Sequence, residues 1–400
     1  MVLYQINVEA NYGSTGKIAE ALGNRVIDRG GKAYLAHGRK HRKSNLNTFQ
    51  VGNWWSYGWH LLISRLFDAH GKGSFWATRK LVRHLEKMQP DIIHLHNIHG
   101  YFINYKVLFQ YLEKYQGVVI WTLHDCWAFT GHCTHFEPHG CEKWKNGCSK
   151  CPALRDYPKS YLLDRSLYNY KHKKESFNNI KNLHLVPVSN WLKSYLDKSF
   201  LRTKPNTVIK NGIDLNVFSP AKTSKKLFPN KKIILGVASV WDKNKGLYDF
   251  HKMQKLLNED ETIVLIGLNP NQIKSLPDGI VGVERTSDLN ELIEYYTRAD
   301  CFMNLTYADS YPTTIMEAVA CGTPVITYDT GGCPEMVENS ELSITVPKKR
   351  FDLALETFRN LVMNHDSSTM ANKSRNHALI SFDGQMQLNG YFDLYENLLN

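Results

Sequence analysis

The sequence predicts an α/β protein made of two doubly wound units, each a parallel sheet with helices on both faces. Short apolar strands alternate with helical spacings along the chain, the pattern of a sheet covered on both sides. The alternation occurs twice, with a break near residues 200–210. A length of 400 residues, 42% of them hydrophobic, is too great for one ordinary core and ample for two.

In the first half, residues 2–8 form a strand candidate. A turn holding Gly13 and Gly16 follows, then the helical spacing Ile18, Ala19, Leu22, Val26, Ile27. Leu81, Val82 and Leu85 mark another helix, and Pro90-Asp91 leads into a strand over residues 92–96. Residues 118–122 and 183–188 are further strands. In the second half, residues 232–240, 262–267, 301–305 and 324–328 are strands, with helices over 289–297 and 314–320. Asn211-Gly212 marks a tight turn beyond the break. The expected domains are 1–205 and 206–378, with a C-terminal helix over 379–400 that packs back toward the first domain. In such architectures the site belongs in the cleft, at the carboxyl ends of the strands.

Charge separates the halves. Residues 1–200 hold 28 Lys+Arg against 14 Asp+Glu, and residues 201–400 hold 21 against 24, giving balances of +14 and −3. A basic half suits nucleic acid, an anionic membrane surface or a phosphate-bearing acceptor; plain solubility is the bland reading. No nucleic-acid motif accompanies the charge, so a nucleic-acid partner is not expected. No apolar run approaches the ~20 residues needed to span a bilayer. The opening residues have no basic leader and read as a strand. The expected location is cytoplasmic, at most peripheral on the inner face of the membrane. The eight cysteines then read as thiols or metal ligands.

The sharpest motif runs from Asp309 to Glu335. Asp309-Ser310-Tyr311-Pro312-Thr313-Thr314 leads into a helix carrying Glu317; Gly322-Thr323-Pro324 turns into a strand, and Gly331-Gly332 follows. Backbone N–H groups at such a helix start can hold a diphosphate, Glu317 can accept from ribose hydroxyls, and Asp309 can face a sugar. A second element, residues 236–246, ends in Lys243-Asn244-Lys245-Gly246 and offers cations for a leaving diphosphate.

These motifs resemble the donor-binding signature of family 4 retaining glycosyltransferases, in which two acids bracket seven residues before A-x-x-x-G-x-P-V. Asp309 stands where that family usually has Glu. The Lys-Gly pair matches at Lys245-Gly246, but Ser239, Val240 and Trp241 occupy the stretch where an Arg is usual, leaving Lys243 to replace its charge. The loop Asn11-Tyr12-Gly13-Ser14-Thr15-Gly16-Lys17 is not a Walker A motif. It resembles the first loop of GT-B transferases, which faces donor phosphates or acceptor; a tight strand–helix turn would also want its glycines. His124 matches an active-site His that contacts the transferred sugar. Residues 91–100 and the cysteine-bearing insertion 126–152 resemble a subgroup from bacterial capsule and exopolysaccharide pathways, including the colanic-acid type.

The resemblance implies a GT-B fold, two Rossmann-like domains facing a central cleft, and transfer of a sugar from a UDP- or GDP-linked donor with retention. It implies a glycan or polyprenyl-diphosphate-linked acceptor and no cofactor for catalysis. His124, Asp309 and Lys245 are the expected catalytic residues. Gly16, Ser239, Lys243, Arg285, Thr286, Tyr311, Pro312, Thr313, Thr314 and Glu317 are expected on the donor side. Asn11, Gly13, His96, Asn97, His99 and Asp125 are expected on the acceptor side. A nucleotide-sugar 2-epimerase of the same fold and a basic nucleic-acid-binding protein are the competing readings.

Cys133, Cys141, Cys148 and Cys151 lie close in sequence and suit a structural Zn²⁺, unmetallated thiols being the alternative. The aromatics Trp54, Trp55, Trp59, Phe67, Phe75 and Trp76, interleaved with Arg65 and Lys72, suit an interfacial segment or core packing, with core packing favoured.

Overall fold

The computed structural model describes residues 1–222 and 228–400. The chain divides into two units, Met1–Lys210 with Leu388–Asn400, and Asn211–Gln387. The divisions fall at 210/211 and 387/388, where the sequence suggested 205/206 and 378/379.

The first unit is built on β1 (Val2–Asn7), β2 (Lys32–His37), β3 (Asn47–Gln50), β4 (Ile92–Leu95), β5 (Val118–Leu123) and β6 (Leu183–Pro187). Their order is β3-β2-β1-β4-β5-β6, and every pairing is parallel. The chain starts mid-sheet, winds out to β3, then returns to the other side of β1. The winding therefore reverses between β1 and β4. One face of the sheet packs Leu3, Leu35, Ile92 and Ile120 against Ile18, Leu22 and Val26 of the Gly13–Asp28 helix. Tyr391, Phe392, Leu394 and Tyr395 of the Gly384–Leu399 helix complete that core. This helix is also hydrogen-bonded to the strands. The Tyr395 hydroxyl lies 2.7 Å from His94 Nδ1, and Thr122 Oγ1 lies 2.8 Å from His94 Nε2 and 2.7 Å from the Tyr391 hydroxyl.

The second unit holds β7 (Lys232–Val237), β8 (Glu261–Ile266), β9 (Ile280–Val283), β10 (Cys301–Asn304), β11 (Val325–Tyr328) and β12 (Ile344–Val346). The order is β12-β11-β10-β7-β8-β9, again all parallel, and the winding reverses between β7 and β10. Ile234, Leu265, Met303 and Tyr328 form its core with Phe250, Leu355 and Phe358. Trp241 belongs to the same core, its indole N–H donating to the Ile266 carbonyl at 2.8 Å.

Two sequence expectations fail. Asn211-Gly212 makes no turn. The segment runs beside Asp383 and Gly384, with the Gly384 N–H donating to the Ile213 carbonyl at 2.8 Å. A Cβ on Gly212 would lie 2.8 Å from the Gly384 Cα, so this glycine serves close packing. The second failure concerns the aromatics of residues 54–76. Trp54–Phe67 and Phe75–Met88 are helices, and the first buries only His60 and Ser64. Trp54, Trp55, Trp59, Phe67, Phe75 and Trp76 are exposed. The interior at this place is polar and hydrogen-bonded, so it takes the histidine and serine and leaves the aromatics outside.

Candidate functional site

In the second unit the predicted residues gather at the carboxyl ends of β7 and β10, where the winding reverses. Gly246 has φ +76°, and a Cβ there would sit 2.2 Å from the Leu305 carbonyl oxygen. Only glycine lets the loop after β7 close on the end of β10. The Asn244 carbonyl then accepts from the Tyr307 N–H at 2.7 Å and from Thr306 Oγ1 at 3.1 Å. This clamp delivers Lys245 Nζ to 2.7 Å from Asp309 Oδ2. Burial would push the Lys245 ammonium down, but the charge and hydrogen bond of Asp309 outweigh it and hold its pKa above the ordinary lysine value.

Asp309 is fixed from behind. The Gly332 N–H donates to its carbonyl at 3.1 Å, and Gly331, at φ +59°, packs so tightly that a Cβ would fall 1.7 Å from that oxygen. Tyr311 and Pro312 are buried, and Pro312 caps the Thr313–Ala320 helix without a side-chain hydrogen bond. The N–H groups of Thr313 and Thr314 begin the helix and have no intrahelical acceptor. Glu317 lies one turn inside. The Tyr296 hydroxyl donates to Glu317 Oε2 at 3.0 Å. Burial, reinforced by the Glu317 charge, keeps that phenol protonated.

Ser239 and Lys243 are exposed on the loop after β7. Arg285 and Thr286 follow β9, an edge strand three positions from β10. They stand roughly 14 Å across the sheet from the end of β10, given ~4.8 Å between strands. Two residues inside the motif that received no role in the sequence reading join the group. Ser310 Oγ and Thr330 Oγ1 are buried in the loops after β10 and β11 with no hydrogen-bond partner.

The first unit has a corresponding place where its winding reverses. Asn7 ties the two loops together: its Nδ2 donates to the Glu9 carbonyl at 2.8 Å, and its Oδ1 accepts from the Asn97 N–H at 3.3 Å. Asn11 and Gly13 adopt φ +46° and +64° in the loop after β1. Gly16 is buried, and a Cβ there would lie 3.2 Å from the Glu9 carbonyl oxygen. Gly16 therefore packs the helix onto its own entry loop, and it belongs to the first unit while the other donor-side residues belong to the second. Glu9, which drew no attention in the sequence, lies 3.0 Å from where a Gly13 Cβ would be. Burial raises its carboxyl above the usual range, against the pull of Arg39 and Lys40.

His96 is not a surface group. It is buried, with Nε2 3.1 Å from Gln5 Oε1 and Nδ1 3.5 Å from His124 Nε2. Its neighbour His124 is partly exposed. Burial brings His124 down to about 4, although Asp125 opposes the shift, so the imidazole is neutral at physiological pH. Asp125 Oδ2 lies 2.8 Å from His99 Nε2, and Oδ1 accepts from the Trp127 N–H at 2.8 Å. Burial opposes Asp125 ionisation, but His99 and the Trp127 amide bring it down to about 2. An anionic carboxylate and a neutral imidazole thus stand together after β5.

The cysteines of residues 126–152 lie partly together. Among the described residues no group of three or more His, Cys, Asp or Glu is disposed to hold a metal ion. Cys133 is hydrogen-bonded to Cys151, and Cys148 Sγ accepts from the Gly131 N–H at 3.2 Å. Lys173 Nζ donates to the Trp127 and Thr130 carbonyls at 2.7 and 3.1 Å, and burial brings it down to about 7 against the pull of Cys148 and Cys133.

Two doubly wound units, one carrying a lysine–acid pair beside an uncapped helix start, define a glycosyltransferase of the GT-B fold. The family described as "Glycosyltransferase Family 4" matches residues 57–217, and that described as "Glycosyl transferases group 1" matches residues 231–364. The chain belongs to the glycosyltransferases that these two descriptions cover. It is 23% identical, over the full length of both chains, to a protein of Escherichia coli (strain K12) named for colanic acid biosynthesis, the glycosyl transferase WcaC. It is 27% identical to the N,N'-diacetylbacillosaminyl-diphospho-undecaprenol alpha-1,3-N-acetylgalactosaminyltransferase of Campylobacter jejuni, over 48% of this chain and 54% of that one. Among solved structures, Anabaena Alr3699/HepE in complex with UDP superposes with a TM-score of 0.67 at 14% identity, covering 99% of each chain.

Proposed function

We propose that the protein transfers a sugar from a nucleoside-diphosphate sugar, UDP- or GDP-linked, to a polyprenyl-diphosphate-linked glycan, with retention of configuration. The setting is cell-surface polysaccharide assembly at the cytoplasmic face of the membrane. The observation that carries this reading is the Lys245–Asp309 pair at the β7/β10 reversal, next to the uncapped start of the Thr313–Ala320 helix.

In this reading the donor diphosphate lies on the N–H groups of Thr313 and Thr314, with Lys245 against its developing charge. Lys243 and Ser239 contribute from the same loop, and the buried hydroxyls of Ser310 and Thr330 find their missing partners. Glu317, oriented by Tyr296, accepts from the ribose hydroxyls, and Arg285 and Thr286 flank the base. Asp309, Tyr311 and Pro312 face the sugar. In the first unit, neutral His124 donates a hydrogen bond to the transferred sugar and does not remove a proton. Asn11, Gly13, Asn97, His99 and Asp125 border the acceptor. The proton of the acceptor hydroxyl goes to the departing phosphate oxygen, so no protein base is required.

The resemblance to the undecaprenol-linked transferase supports the acceptor, and the UDP in the structural neighbour supports testing UDP first. The test is a thermal-shift panel of UDP, GDP, ADP and CMP on the protein and on Glu317→Ala. A ligand at a hundredfold excess over Kd stabilises by ~2.7 kcal/mol. A rise with one nucleotide, lost in the variant, is expected. No rise with any of them would remove the donor site. A product of inverted anomeric configuration, read by NMR, would overturn retention.

A further inference from the structure

The Trp54–Phe67 helix is inside out. Trp55, Trp59 and Leu62, spaced i, i+4, i+7 along one side, are 67%, 62% and 49% exposed, while the buried side holds His60 and Ser64. Helices in water ordinarily show the reverse. The orientation is pinned from within. His60 Nε2 accepts from the Gly71 N–H at 3.0 Å, its Nδ1 lies 2.9 Å from the Ser74 hydroxyl, and Ser64 Oγ donates to the His60 carbonyl at 2.7 Å.

The apolar surface continues past the carboxyl end of the helix. The Tyr161 and Leu163 N–H groups donate to the carbonyls of Arg65 and Leu66 at 2.6 and 3.2 Å. This straps Leu162 and Leu163, both exposed, beside the end of the helix. Toward the other side, Trp59, Ile63, Phe75 and Trp76 line a groove of about 520 Å³ whose rim includes Lys80. Cations border the apolar face along the Phe75–Met88 helix. The Arg79 guanidinium sits 5.6 Å from the Phe75 ring centroid, and Lys80, Arg83 and Lys87 follow along the Phe75–Met88 helix. Residues 54–88 carry six Lys and Arg against Asp68 and Glu86, and Asp68 is buried on His132.

We propose that this face seats the first unit on an anionic lipid bilayer. The tryptophans lie at headgroup level, Leu62 and Leu162 reach the acyl chains, and Lys80 and Arg83 meet lipid phosphates. No described helix is long and apolar enough to cross a membrane, so the element lies on the surface. A second copy of this chain is a poorer occupant, because it would set one basic rim against another. The proposal rests on the membrane setting of the function proposed above and names the surface that meets it.

The test is co-sedimentation of the full chain with vesicles of phosphatidylcholine alone and of phosphatidylcholine mixed with phosphatidylglycerol. Binding to the anionic vesicles is expected to exceed binding to the neutral ones by at least roughly tenfold at low salt. The triple variant Trp55→Ser/Trp59→Ser/Leu62→Ser should lose about tenfold in binding, and Lys80→Glu/Arg83→Glu should lose the preference for anionic lipid. Brominated lipids should quench tryptophan fluorescence of the unaltered protein. Stabilisation by nucleotide, which reports on the second unit, should persist in every variant, so failure of the donor reading and of this one are separable. Unaltered protein that stays in the supernatant at low salt would overturn the proposal. So would a triple variant that binds as well as its parent, or a dimer in solution that the triple variant dissociates.

Discussion

Lys245 Nζ and Asp309 Oδ2 meet at 2.7 Å, and each comes from a loop that leaves its strand where the sheet reverses its winding. The pair neutralises itself only until a diphosphate arrives. In the function proposed above, the donor shares or takes over the lysine, and the aspartate is freed toward the sugar.

Replacing Lys245 by Met should therefore lower kcat by a hundredfold or more, about 3 kcal/mol of transition-state stabilisation. Steady-state kinetics with the donor found by the nucleotide panel checks this. Asp309→Asn should affect kcat more than the affinity for free nucleotide, since it keeps the loop and loses the charge. A KM effect alone would place the pair outside the reacting centre.

Tyr296 holds Glu317 at 3.0 Å and is itself fully buried. Tyr296→Phe removes one hydrogen bond to a carboxylate, worth ~1.5 kcal/mol. Nucleotide affinity by calorimetry should fall about tenfold, while Glu317→Ala abolishes it. Equal affinity in the phenylalanine variant would mean that Glu317 finds its own orientation.

His124, brought down to about 4 by burial, is neutral throughout the range in which activity would be assayed. The pH–rate profile between pH 5.5 and 8 should show no limb from this residue. His124→Asn, which can still donate, should retain more activity than His124→Ala. A limb near 6.5 that vanishes in the asparagine variant would assign His124 proton transfer instead.

Acid should weaken the first unit. Burial lowers His60 and His94 to about 3, and His124 to about 4. The unfolded chain takes up these protons near pH 6.5 and the folded one does not. Stability is thus full above 6.5 and falls as pH drops, by roughly 2 kcal/mol per such histidine at pH 5. Urea unfolding at pH 7.5 and 5.0 measures it, and equal midpoints would refute the burial of these rings.

Much of the candidate site in the second unit was legible because it is local. Asp309, Thr313, Thr314 and Glu317 lie within nine residues, and the Gly322-Thr323-Pro324 turn announces the next strand. What the sequence hid depends on contacts between distant segments. Tyr296 finds Glu317 through the packing of its helix on the next, with no spacing rule to predict it. β3, Asn-Thr-Phe-Gln, is an edge strand without an apolar run, and β12 has only three residues. His96 looked like a surface group because its neighbours His94, Asn97 and His99 are polar; the partner that permits its burial, Gln5, lies ninety-one residues away. The aromatics of residues 54–76 carried the right signal and received the wrong weight. Only the buried hydrogen bonds of His60 reveal which side faces in.

The helix that closes the first core is made only after the whole of the second unit. Tyr391, Phe392 and Tyr395 cover the strand face over Leu3, Ile92 and Ile120, yet all of the second unit is encoded between them and Lys210. A chain leaving the ribosome amino end first must carry that apolar face uncovered while 211–387 is translated. His94 waits equally long for the Tyr395 hydroxyl. Loss of residues 388–400 would thus harm the half of the molecule farthest from them in sequence.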